Sequence, residues 1–239
     1  MTERVCLLTG ASGLLGSAFI RQHAARYRII GICNRGMLEF ATQEQTFFDP
    51  IDPARPIINN SFAVHQISTD LSVSANVDAV VDEVLGKFGR VDLLINAAAC
   101  RVWSPLTAHG GSLDSASEMF QVNVVAPLRL SATLARKFWA YERDNNIRHN
   151  RNIINISSMA GLYVYEDAGQ AVYGATKAAL NHLTYHIASE FWDIGIRANA
   201  VAPDTFPGRV STEEVIETVI QLDCSTDTGQ VVSVSPKVA

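Results

Sequence analysis

The sequence predicts an α/β chain in which a doubly wound parallel sheet of about seven strands lies between two helical layers, a three-layer α/β/α arrangement. Three observations carry this expectation. Short apolar strand-like runs alternate with segments of helical period, which implies parallel strands joined by right-handed crossovers. The first run, Arg4 to Thr9, leads directly into a glycine turn and then an amphipathic helix. The length of 239 residues suits a single domain, 1–239, with one sizeable core rather than two small domains.

Taken in order, the expected strands lie near 4–9, 28–33, 62–68, 91–95, 151–157, 196–202 and 230–234, and the helices near 14–26, 73–88, 115–144, 171–194 and 212–222. The last helix has a clear start, since Ser211 and Glu214 fit a capping box. Helices on both faces of such a sheet leave ligands to bind beyond the carboxyl ends of the strands. Two stretches fit less easily. Residues 36–61 hold Asp49-Pro50-Ile51-Asp52-Pro53 and Pro56 before Asn59-Asn60, so a long helix there is excluded and a loop is expected. Only 25 positions carry the chain from Pro203 to Thr228-Gly229-Gln230, a short C-terminal region.

Bulk composition narrows the function. A net charge of −5 gives no basic footprint, so nucleic acid is not an expected partner. No apolar run approaches a membrane span and no signal-peptide pattern opens the chain, so neither membrane nor secretion is expected. Cysteines 6, 33, 100 and 224 lack zinc or redox spacing, which fits reduced thiols and a cytoplasmic location. His182, His186 and Glu190 have a spacing that can hold a metal, but an ordinary helix face is the expected reading.

Two local patterns carry chemistry. Gly10-Ala11-Ser12-Gly13-Leu14-Leu15-Gly16 follows a strand and opens a helix, as in a Rossmann-type dinucleotide fold. Glycines there permit a tight turn and let backbone N–H groups approach a pyrophosphate at the positive helix end. The competing reading is a plain glycine-rich turn. Ser12 is not a hydrolase nucleophile, being one residue short of G-x-S-x-G. Far downstream, Tyr173 and Lys177 in Val172-Tyr173-Gly174-Ala175-Thr176-Lys177 stand one helical turn apart, with Cβ atoms roughly 5–6 Å from each other. A free phenol titrates near ~10. A neighbouring positive charge favours the phenolate and brings it toward a range useful for acid–base work.

Thr9 to Gly16, Asp70-Leu71, Asn96-Ala97-Ala98-Ala99, Ile156-Ser157-Ser158-Met159-Ala160-Gly161, Tyr173 to Lys177 and Arg197 to Pro203 occur in this order. Together they resemble the short-chain dehydrogenase/reductase superfamily. The likeness runs from about residue 4 to 203 and weakly beyond, in an atypical member with a shortened substrate-lid region. It implies catalytic Asn123, Ser158, Tyr173 and Lys177. It implies cofactor contacts from Gly10, Ser12, Gly13, Leu14, Leu15, Gly16, Arg35, Asp70, Leu71, Asn96, Ala97, Ala98, Tyr173, Lys177 and Pro203.

Several of these have structural alternatives. Asp70 either meets the adenine amino group or caps the following helix. Asn96 either closes on the adenosine side or pins its strand end. Asn123, in an otherwise apolar helix, is implied to bend that helix and hold a water linked to the lysine. Ser158 is implied to bind the substrate oxygen. Strand 2 ends at Cys33-Asn34-Arg35 without an acidic residue, so Arg35, helped by Ser12, points to NADP (NADPH), with NAD as the alternative cofactor. Pro203-Asp204 stands where relatives read Pro-Gly, and Pro207-Gly208 looks like that pattern displaced, which leaves Val210 and Thr212 as weak candidates.

The expected activity is NADP-dependent hydride transfer between nicotinamide and a carbonyl/hydroxyl pair, with Tyr173 as general acid/base. The substrate is small or carrier-bound, and a homodimer or homotetramer is implied. A nucleotide-binding sensor or scaffold without turnover is the alternative. The glycine pattern also suggests a sugar-nucleotide epimerase of the extended branch, but the chain ends 36 residues after Pro203, too soon for that branch's substrate domain.

Overall fold

The computed structural model describes residues 3–36, 38, 64–166 and 169–236, and the backbone of Thr46–Phe48 and Pro56–Ile58. Seven strands form one parallel sheet: β1 (Arg4–Thr9), β2 (Tyr27–Cys33), β5 (His65–Ser68), β6 (Leu93–Asn96), β7 (Asn152–Ile156), β8 (Arg197–Pro203) and β9 (Val231–Val234), in the order β5-β2-β1-β6-β7-β8-β9. The doubly wound Rossmann-type sheet is therefore present. Strand order reverses between β1 and β6, and a crevice opens at such a switch point.

Alternation along each strand divides the core in two. Cys6 and Leu8 of β1, Leu93 and Ile95 of β6, and Ile154 and Ile156 of β7 pack toward helices α1 (Leu14–His23) and α7 (Thr212–Cys224). Their neighbours Val5, Leu7, Leu94 and Ile153 pack on the other face against α2 (Ser74–Phe88), α4 (Ala126–Lys137) and α6 (Ala171–Glu190). Each strand is thus apolar on both sides, the pattern of a sheet covered by helices. Helix α2 stops at Gly89, whose φ of +70° closes the last turn with a bond from its N–H to Leu85 O. Helix α7 opens with the expected capping box: Ser211 Oγ accepts from Glu214 N at 3.1 Å, and the Glu214 carboxylate accepts from Ser211 N at 2.8 Å.

Two expectations change. The stretch 36–61 lies mostly outside the described residues, but within it β3 (Thr46–Phe48) and β4 (Pro56–Ile58) pair antiparallel, Phe47 opposite Ile57. The aromatic and β-branched residues on either side of the prolines favour strands, whereas the prolines suggested only a loop. The helix expected over 115–144 is divided. Helix α3 (Ala116–Phe120) runs into a π-turn at Gln121–Val125, then α4, a 3₁₀ turn at Trp139–Tyr141 and α5 (Arg143–Arg148). Pro127 explains the π-turn, because it has no N–H for the Asn123 carbonyl four residues back. Ala126 N–H bonds Gln121 O, five residues back, instead.

At the end of the sheet opposite the crevice, Asp92 is buried. It accepts from Val5 N at 3.0 Å, Arg151 Nε at 3.0 Å and Arg90 at 2.7 Å. Burial pushes its carboxyl up, but Arg90, the Val5 N–H and Arg151 outweigh burial and hold it below its ordinary 3.8. A carboxylate depressed in this way contributes stability above its unfolded pKa, and that contribution is lost as pH falls through the folded value. Asp92→Ala leaves Arg151 buried without its carboxylate and is expected to cost about 3–5 kcal/mol at pH 7. Urea midpoints at pH 7 and below pH 4 check this, with a smaller cost expected at the lower pH.

Candidate active site

The carboxyl ends of β1, β2, β6, β7 and β8 open into a cleft of about 1010 Å³. Its first wall is the glycine turn. Gly10 has φ +67°, and a Cβ there would stand 2.8 Å from Ala98 N. A Cβ on Gly16 would stand 2.6 Å from Ala11 Cα. Only glycine lets the turn fold so closely on itself and on the 97–98 backbone. Gly13 is the N-cap of α1 and no side chain caps that helix, while Leu14, Leu15 and Gly16, the first helical residues, line the cleft. Uncapped N–H groups at a positive helix end suit a pyrophosphate. This cradle fits a dinucleotide.

Thr9 was not singled out by the sequence reading, yet it shapes the opposite rim. Its hydroxyl accepts from both Ala97 N and Ala98 N at 3.0 Å. A hydroxylated residue at the last position of the strand before the glycine turn is the signal that could have revealed it. At the far end, Ser12, Arg35, Asp70 and Leu71 line the cleft, and a Cβ on Gly36 would meet Ser12 Oγ at 2.6 Å. The Asp70 carboxylate accepts from Ser72 N at 2.9 Å, so it braces the entry to α2 while facing the cleft. That backbone bond, aided by Arg35, holds it below the usual carboxylate range.

At the other end, Ser158, Tyr173, Lys177 and Pro203 line the same cleft. Ser158 follows β7 and caps a 3₁₀ turn at Met159–Gly161, accepting from Ala160 N at 3.2 Å. Tyr173 and Lys177 project from the first two turns of α6. Close packing against the 159–161 turn sets this geometry. A Cβ on Gly161 would stand 2.8 Å from Ala178 N, and one on Gly174 would stand 2.7 Å from Ala160 O.

The electrostatics differ from expectation. Burial raises the Tyr173 phenol above its ordinary value, opposed by a hydrogen bond with Ser158 and by the positive Arg101. Lys177 was expected to lower it. Instead the lysine ammonium lies 5.7 Å from the Tyr173 ring centroid and donates to Ile156 O at 2.8 Å. Burial pushes Lys177 itself down to about 8, so it stays mostly charged at neutral pH and loses its charge as pH rises through that value.

Two predicted site residues stand behind the cleft wall. Asn96 donates to Asn155 Oδ1 at 2.8 Å, and Asn155 Nδ2 donates to Thr184 Oγ1 at 2.9 Å, pinning β6 to β7 and α6. Asn123 donates to Cys100 O at 2.9 Å and Thr176 Oγ1 at 3.0 Å, and accepts from Cys100 N at 2.7 Å. Both amide hydrogens are engaged, so the side chain fixes the 100–101 backbone rather than facing the cleft. After β8, Pro203 and Pro207 both line the cleft, whereas Val210 and Thr212 are buried away from it. Asp204, the departure from Pro-Gly, accepts from Tyr165 Oη at 2.9 Å and pairs with Arg209 at 3.3 Å. This contact ties the two least regular walls together. Burial first, then Asp204, pushes the Tyr165 phenol up to about 12.

The sequence family described as short chain dehydrogenase matches residues 4–218. The chain belongs to that family. It is an NAD(P)-dependent short-chain dehydrogenase/reductase. An uncharacterized oxidoreductase of Staphylococcus epidermidis is 28% identical over 205 residues, covering 84% of this chain and 77% of the relative. Among solved structures, the Pseudomonas aeruginosa RhlG/NADP active-site complex superposes with a TM-score of 0.79 at 21% identity, covering 98% of this chain and 95% of that one. A Brucella ovis short-chain oxidoreductase in complex with partially ordered NAD gives 0.71 at 27% identity, covering 98% and 100%. These structural neighbours thus include one complex with NADP and one with NAD. No described helix of this short-chain dehydrogenase is long and apolar enough to cross a membrane.

Proposed function

We propose that this short-chain dehydrogenase is an NADP(H)-preferring carbonyl reductase or alcohol dehydrogenase whose general acid/base is Tyr173. The observation that carries the reading is the meeting of Ser158, Tyr173 and Lys177 with the Gly10–Gly16 cradle in one cleft. A bound nicotinamide supplies or accepts the hydride. Leu14, Leu15 and Gly16 present backbone N–H groups to the pyrophosphate, and Ala97 and Ala98, held by Thr9, close the adenosine side. Ser158 holds the substrate oxygen and Tyr173 protonates it during reduction. Lys177 positions the nicotinamide ribose, and Asn123 keeps the neighbouring backbone in place. Asn96 acts from behind the wall. Residues 1–239 work as a single nucleotide-binding unit, and we read the exposed Tyr185 and Trp192 beside α6 as part of a homo-oligomer contact.

NADP is favoured over NAD because the end of β2 offers Arg35, with Ser12 close against the adjoining Gly36, and no carboxylate at 33–36. The test is NADPH and NADH oxidation against a carbonyl panel, beside Arg35→Asp. The expected result is a kcat/KM preference for NADPH that falls by about 10–100-fold in the variant, the scale of one charge-assisted contact. An unchanged cofactor ratio would remove Arg35 from this role. Tight NADPH binding with no turnover of any carbonyl or alcohol would favour a sensor instead.

A further inference from the structure

Arg101 lines the cleft with Tyr173, whose phenol its charge draws downward, and no substrate-binding role has been given to it above. Its backbone is held on both sides. The peptide groups of Cys100 are clamped by the Asn123 amide at 2.7 and 2.9 Å. Three residues on, Ser104 N donates to Gly169 O at 3.0 Å, and Gly169 has φ +60° with no room for a Cβ, which would stand 2.8 Å from Ser104 C. Between these anchors the Arg101 guanidinium lies 5.2 Å above the Trp103 ring. Trp103 in turn meets Tyr173 edge-on, with centroids 6.5 Å apart. Arg101 therefore presents its guanidinium over an aromatic shelf, on a braced stretch of backbone, at the Tyr173 end of the cleft. Among the described residues no carboxylate forms an ion pair with it. Glu118 and Glu166 line the same cleft, so an anion is not drawn in by bulk charge and must be met by the fork itself.

We propose that Arg101 is a specificity-determining residue that binds a carboxylate on the substrate, so that the carbonyl compound turned over is an oxo acid with an apolar body resting on Trp103 and Phe206. This rests on the oxidoreductase reading above. A guanidinium grips a carboxylate through two parallel hydrogen bonds, which fixes orientation as well as charge. The neighbouring carbonyl is thereby turned toward Tyr173. A neutral ester or amide of the same acid loses that grip and leaves the fork unmatched.

The test compares 2-oxo-4-phenylbutanoate with its ethyl ester, and 3-oxo acids with their esters, on the full chain and on R101Q and R101K. The wild type is expected to favour each acid over its ester by at least tenfold in kcat/KM. In R101Q the loss on the acid, read mainly in KM, should exceed the loss on the ester by tenfold or more, with R101K between. Equal losses on acid and ester, or a wild type that prefers the ester, would overturn the proposal. Calorimetric binding of the same acid and ester in the presence of NADP⁺ reads the site without turnover. Should no carbonyl be reduced with either cofactor, the oxidoreductase reading fails. Acid binding at least tenfold weaker in R101Q still supports the Arg101 site, and equal binding overturns it.

Discussion

Tyr173→Phe is expected to lower kcat/KM by about 10²–10⁴-fold, the range for a positioned general acid or base. The ring is retained, so the edge contact with Trp103 at 6.5 Å survives. Stability should change by no more than about 1 kcal/mol, the usual net worth of one hydrogen bond. Cofactor affinity should be nearly unchanged, which separates a lost proton donor from a damaged site. Burial holds the phenol protonated at neutral pH, so reduction, which needs the acid, should be level there and decline only as pH rises through the raised pKa. Alcohol oxidation needs the phenolate and should climb about tenfold per pH unit until that pKa is reached. Steady-state rates in both directions from pH 6 to 10 check this. Turnover within tenfold of wild type in the Phe variant would remove the mechanism.

Lys177→Met should abolish most activity and at the same time stabilise the fold. A buried ammonium whose pKa falls from 10.5 to about 8 corresponds to about 3 kcal/mol of penalty at neutral pH. Loss of the bond to Ile156 O offsets about 1 kcal/mol of the gain. The net expectation is a gain of about 1–2 kcal/mol at pH 7. The folded protein releases this proton more readily than the unfolded chain, so the penalty is complete below about pH 8 and fades as pH rises toward 10.5. The gain should therefore shrink in alkali. Denaturant midpoints at pH 7 and pH 10 test it, and a variant less stable than wild type at pH 7 would contradict the buried-charge account. Sites that stabilise their transition states commonly sacrifice stability in this way.

The two expectations depend on different kinds of information. Helix period alone places Tyr173 and Lys177 on one face, and the glycine spacing alone indicates a turn with close backbone approach. Those are local properties, legible from neighbours in sequence. The charge state of the pair is not local. The burial of Tyr173, opposed by Ser158 and Arg101, and the burial of Lys177 decide it, and these come from the packing of α6, the turn after β7 and the loop after β6. The proximity of Lys177 to the phenol was visible in the sequence, whereas the desolvation of both groups was not.

The same division runs through the rest of the chain. Ser211 and Glu214 announced the start of α7, because a capping box involves residues three apart. The π-turn at Asn123 was within reach, since Pro127 four residues on removes the donor its carbonyl needs. Pinning of a strand end by Asn96 was one of the two roles the sequence offered, but its partner Asn155 was not legible, nor was the bracing of the 100–101 backbone by Asn123, because these partners are distant in sequence. Nor was the bond from Tyr165 to Asp204, which joins two loops that carry no pattern of their own.

By itself the sequence determined the alternation of strands and helices, the glycine cradle and the Tyr–Lys face. Each follows from periodicity or from a residue's own conformational range, which act over a few positions. Tertiary structure alone decided which side chains reach the cleft, which carry charge there, and that Arg101 stands on Trp103 beside the phenol. Those depend on burial and on through-space contact between segments that the chain keeps far apart.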